Sequence, residues 1–111
     1  MNRQSVKVEV NTIDQFCAKE KIDRIDYLKV DTEGFDISVL EGAAKMLQEG
    51  KIRYVFVEVS FNSDIEPRYT SFERVSSLLK KYNFRMRGLY HQSTNGRPYM
   101  SYADALFLRQ P

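Results

Sequence analysis

The sequence predicts an α/β fold with a mostly parallel sheet that finishes in an antiparallel strand pair, and three observations carry that expectation. Short β-rich runs alternate with segments whose apolar residues recur at helical spacing. The run "YVFVEVSF", Tyr54 to Phe61, is nearly continuous in β-branched and aromatic residues, as in a parallel strand covered on both faces. The last two strand patterns follow one another with no crossover helix, only the Asn95-Gly96 and Arg97-Pro98 turn region, which makes them antiparallel.

In order along the chain, Val6, Val8 and Val10 alternate with Lys7 and Glu9, the period of a half-buried strand. Thr12 stands three residues before Gln15 in a capping-box spacing, and Ile13, Phe16 and Cys17 share one face of a helix expected to reach about Lys21. Ile25 to Val30 reads as a buried strand. From Phe35, the residues Ile37, Leu40, Ala44 and Leu47 recur at the spacing of a single helix that stops at Gly50. After the Tyr54 to Phe61 strand, Thr70 and Glu73 repeat the capping-box spacing ahead of Phe72, Val75, Leu79 and Tyr82, giving a helix to about Tyr82. Strands over Phe84 to Tyr90 and Ala105 to Arg109 complete a β-α-β-α-β-α-β-β order with no repeat or linker, read as a single domain over residues 1–111.

A chain of 111 residues supports one core, and with 42% hydrophobic residues it is an ordinary globular composition. No apolar run approaches the roughly 20 residues that cross a bilayer. The net charge is +2 with both signs interspersed, which gives no nucleic-acid footprint. One cysteine cannot form an internal disulfide, and "MNRQSVKVEV" has no apolar signal segment, so a cytoplasmic location is expected. Cys17, beside Phe16, is read as a buried and inert thiol.

The chemistry is expected at the seam "IDYLKVDTEGFDISVLEGA", where Asp31 and Glu33 fall between a strand and a helix. One reading gives Asp31, Glu33 and Asp36 the task of satisfying the helix start. The other notes that Glu58 ends the next strand, so two neighbouring strands each bring a carboxylate to the carboxyl edge, where open α/β sheets bind ligands. Such a pair could take a proton from a hydroxyl, hydrogen-bond a polyol, or hold a divalent cation, although a cation needs more ligands than the sequence places here, and no metal ligands are assigned. His91 stands alone in an expected loop, and Ser-His-Asp chemistry is not assembled from it. The glycines are too scattered for a phosphate cradle. Phe35, Phe56, Phe61, Phe72 and Phe107 fall at packing positions, while Tyr90, Tyr99 and Tyr102 lie in or near the late loop, where a tyrosine could line a cleft.

The stretches "TIDQFCAKEKIDRIDYLKVDTEGFDISVLEGA", "YVFVEVSF", "TSFERVSSLLKKYNF" and "ADALFLR" together resemble the C-terminal half of an FkbM-family methyltransferase, from about Val6 to Arg109. The resemblance implies a Rossmann-like class I methyltransferase sheet in the strand order 3-2-1-4-5-7-6, of which the present strands are the third to the seventh. It implies methyl transfer from S-adenosylmethionine to a hydroxyl of a sugar or secondary metabolite, with a small-molecule or glycan acceptor and neither nucleic acid nor membrane as partner. On this reading Asp31 and Glu33 are catalytic, at the carboxyl end of the fourth strand, with Asp31 as the base. Glu58 and Asn62 bind substrate.

The sequence departs from the family in lacking its first two strands, the glycine-rich turn after the first and the acid that ends the second. No cofactor-binding residue is therefore assigned, and the chain is expected to be a fragment whose exposed sheet edge offers a route to a homodimer, or whose first strand moves beside the second. The alternative function is a non-catalytic small α/β module that binds a glycan or protein partner. A phosphoacceptor role for Asp31 is disfavoured, because no paired acids follow the first strand and no suitable lysine ends a late one.

Overall fold

The structure, a computed structural model, describes residues 11–32, 34–62 and 70–111. The expected strand over Val6 to Val10 lies outside them, as does Glu33.

Helix α1 (Ile13–Lys19) starts at the expected capping box: Thr12 Oγ1 accepts from Gln15 N at 3.1 Å, and Gln15 Oε1 accepts from Thr12 N at 3.1 Å. It ends before the expected Lys21, which has a left-handed φ of +56°. Strand β1 (Ile25–Val30) follows. The single helix expected from Phe35 is instead two, α2 (Asp36–Glu41) and α3 (Ala44–Gln48). The break is made by α1: Asp14 N donates to the Gly42 carbonyl at 2.9 Å, and the Asp14 carboxylate accepts from Lys45 N at 2.8 Å and Met46 N at 3.0 Å. A side chain from a different helix thus satisfies the exposed donors that begin α3.

Strand β2 (Ile52–Ser60) precedes α4 (Phe72–Lys80), which is capped by Ser71 rather than Thr70: Ser71 Oγ accepts from Arg74 N at 3.4 Å. Strands β3 (Phe84–Ser93) and β4 (Tyr102–Arg109) are both longer than their apolar cores suggest. The four strands form one sheet in the order β1-β2-β4-β3. β1 runs parallel to β2, and β4 is antiparallel to both β2 and β3. The antiparallel C-terminal pair is as expected. Among the described strands, however, only one of the three ladders is parallel, because β4 inserts between β2 and β3.

One face of this sheet carries the core. Val30, Val55, Val57, Val59, Ala105 and Phe107 pack with Leu40, Leu47, Val75 and Leu79 from the helices. Each of the valine, leucine and phenylalanine side chains, buried in this way, contributes roughly 1.5–3 kcal/mol. Phe61 and Phe72 join them with ring centroids 5.1 Å apart. On the opposite face Phe56 is only half-buried, between Tyr27 at 6.0 Å and Tyr90 at 6.5 Å. Among the described residues β2 is therefore not covered on both faces as its apolar run suggests. Phe35, expected to pack, is 69% exposed. Among the described residues no helix is long and apolar enough to cross a membrane.

Candidate functional site

Register brings the site together. Val30, the last residue of β1, pairs with Val57, so Asp31 follows on beside Glu58. Glu58 does not end its strand as expected but lies two residues inside it, because β2 stays paired with β4 as far as Ser60. Glu58 pairs in turn with Asp104 of β4, and Asp104 with Tyr90 of β3. Directly opposed residues project to the same side of a sheet, so this row lies on the face away from the main core. There it borders an open cleft of about 180 Å³, with Lys29 and Asp31 on one side, His91 and Asp104 on the other, and Phe56 and Glu58 between them.

The alternative task for the seam acids, satisfying the helix start, is not performed by Asp31. α2 begins at Phe35 with no side-chain cap. The local donors go instead to Asp36, which is 3% exposed and accepts from Thr32 N at 3.0 Å, from the Thr32 hydroxyl, and from Thr70 Oγ1 at 3.0 Å. One buried carboxylate so ties the loop after β1 to the residue before the α4 cap, and Asp31 remains exposed at the cleft. Asn62 donates its side-chain amide to the Met100 carbonyl at 2.7 Å, fastening the end of β2 to the loop before β4.

Two residues that sequence reasoning did not assign to the site stand in it. His91 is in β3 and not in a loop, at the irregularity between Tyr90 and Ser93, with a left-handed φ of +52°. Its Nδ1 lies 2.7 Å from Asp104 Oδ2, and the two side chains are 78% and 21% exposed. A signal for Asp104 does exist in the sequence: it is the single acid in the alternation of "YADALFLR", flanked by Ala103 and Ala105, which are buried on the core face. Nothing comparable marks His91, because a bulge carries no pattern of its own.

Among the described residues no group of three or more His, Cys, Asp or Glu side chains could hold a metal ion. A wider groove of about 520 Å³ lies between α2 and α4, over Ile37 and Leu78 with Glu41, Glu73, Arg74 and Lys81 on its rim. Its charges are of both signs.

The family model of the methyltransferase FkbM domain matches residues 1–86, which take in β1, β2 and the start of β3. No curated protein and no solved structure matches the chain.

Proposed function

Because the chain belongs to the FkbM methyltransferase family, we propose that its cleft serves S-adenosylmethionine-dependent methyl transfer to a hydroxyl of a sugar or secondary metabolite. The observation that carries this reading is the meeting of Asp31, just past the carboxyl end of β1, with Glu58, in the carboxyl-terminal part of the adjacent parallel strand β2, in one cleft. The strand order β1-β2-β4-β3 supports it, since it corresponds to the 4-5-7-6 end of the order implied by the resemblance.

The residues present fit the reacting end of the cofactor. The carboxylates of Asp31, Glu58 and Asp104 and the ring of Phe56 suit a sulfonium cation, which both charge and a π-face attract. A cleft of about 180 Å³ has room for a methyl group and a hydroxyl. Whole ligands of drug size occupy roughly 300–1,000 Å³, so the adenosine and amino-acid parts need surface beyond this cleft. When bound, S-adenosylmethionine supplies an electrophilic methyl group on sulfur. The chain aligns the acceptor: Asp31 borders the cleft where the methyl group and the hydroxyl would meet, and Glu58 binds the acceptor, with Asn62 holding the adjoining loop in place. The catalytic role that the resemblance implies for Glu33 rests on the sequence alone.

Calorimetric titration of S-adenosylmethionine into the folded chain, followed by a labelled-methyl assay over hydroxylated acceptors, tests the reading. Saturable binding followed by transfer would support it, and in a chain that transfers, Asp31→Asn is expected to lower the rate at least about tenfold while leaving the circular dichroism unchanged. A folded chain that binds a glycan but neither binds the cofactor nor transfers a methyl group would favour the non-catalytic module.

A further inference from the structure

We infer that His91, oriented by Asp104, takes the proton of the acceptor hydroxyl in this cleft; the inference rests on the methyl-transfer reading. The geometry is that of an oriented base. An ionised carboxylate only accepts hydrogen bonds, so the 2.7 Å contact places the neutral imidazole's proton on Nδ1 and leaves the Nε2 lone pair as the ring's acceptor. The same contact stabilises the imidazolium that forms when Nε2 takes a proton.

The backbone is arranged for this contact. A histidine at φ +52° is held in a region that side-chain-bearing residues seldom occupy, at a break in the β3–β4 register. Tyr90 pairs with Asp104 and Ser93 with Tyr102, so two residues of β3, His91 and Gln92, stand opposite Ala103 alone. Such irregularities re-aim side chains next to active sites. Here the result is a ring 78% exposed whose partner is 21% exposed, bordering the cleft that Asp31 also borders.

Geometry separates the two candidate bases: the ring of His91 is oriented by a carboxylate that also stabilises its protonated form. Asp31 is left to orient the hydroxyl. In the balanced step, the acceptor oxygen bonds the methyl carbon, the carbon–sulfur electron pair stays on sulfur as a neutral thioether, and the hydroxyl proton passes to His91 Nε2. The charged groups that share the cleft with His91 are Lys29 and Asp31 from β1 and its end, Glu58 from β2, and Asp104 from β4.

His91 is the only histidine in the chain, so its ring nitrogens can be read without ambiguity by ¹⁵N NMR. The neutral ring is expected as the Nδ1–H tautomer, and Asp104→Asn is expected to abolish that preference. In the methyl-transfer assay, His91→Gln should lose about 10²- to 10⁴-fold in turnover with cofactor binding retained. Asp104→Asn should lose about 10- to 100-fold. A phenolic acceptor, which ionises without help, should restore much of the His91→Gln loss, whereas it would not repair a misfolded variant. An Nε2–H tautomer in the folded chain, or His91→Gln turnover within about threefold of the parent, overturns the inference while leaving the methyl-transfer reading intact. A parent chain that neither binds the cofactor nor transfers a methyl group to any acceptor overturns both.

Discussion

Asp36 and Cys17 show what burial does to a single side chain here. Asp36 is 3% exposed and receives hydrogen bonds from Thr32 and Thr70, so its removal strands donors that water reaches poorly. Asp36→Ala is expected to cost about 1–3 kcal/mol in urea unfolding, and Asp36→Asn, which keeps one acceptor oxygen, less. Cys17 is also 3% exposed, and its thiol is pushed above the ordinary value, first by burial and then by the negative charge of Asp14. Below the ordinary thiol range the native and unfolded chains are both protonated at this site. As pH rises past that range, the unfolded thiol ionises before the native one, so the native state loses stability until its own raised value is passed. Urea midpoints measured across alkaline pH should fall more steeply for the parent than for Cys17→Ala, since other groups titrate equally in both. A parallel decline in the two proteins would contradict this account.

At the scale of elements, the contact between α1 and the α2–α3 break decides helix boundaries. Asp14 caps α3 from outside, and the Gly42 carbonyl accepts from Asp14 N. Asp14→Ala should therefore destabilise by about 1–2 kcal/mol although it lies in a different helix from the one it caps. A Cβ at Gly42 would stand 3.1 Å from Thr12 Cβ and 3.2 Å from Thr12 Cγ2, so Gly42→Ala should push α1 away and cost about 1–3 kcal/mol. Because both substitutions act on one contact, the double variant is expected to lose less than the sum of the two, which a thermal double-mutant cycle would measure. The break was hidden in the sequence because Leu40, Ala44 and Leu47 keep helical spacing across it. The cap of α1, by contrast, was legible from Thr12 and Gln15, since both partners lie three residues apart on one segment.

For the whole molecule, the main core and the candidate cleft lie on opposite faces of one sheet. Leu47 is fully buried among the helices, and Leu47→Ala should cost about 2–5 kcal/mol, a large share of the roughly 5–15 kcal/mol that holds a domain folded. Asp31 and His91 lie exposed at the cleft, so Asp31→Asn and His91→Gln should move the denaturation midpoint by no more than about 0.5 kcal/mol equivalent. A melt in which the cleft variants fall as far as Leu47→Ala would mean that the cleft is part of the fold's support.

The sequence by itself determined the α/β class, the four described strands, the helix-start chemistry at Thr12, the buried thiol and the family, because each is written in local spacing or in contiguous motifs. It also located Asp31 at a strand end, which needs only the length of the apolar run, whereas Glu58 lies inside β2 because pairing with β4 extends that strand to Ser60. The order implied by the resemblance already placed β4 between β2 and β3, and tertiary structure alone decided the register that sets Asp104 opposite Glu58. It decided equally that Asp36, and not Asp31, satisfies the seam, and that His91 meets Asp104 across a break in register. The physical reason is the same in each case. Register and the partner of a buried carboxylate depend on groups far apart in the chain, and periodicity along one segment contains no term for them.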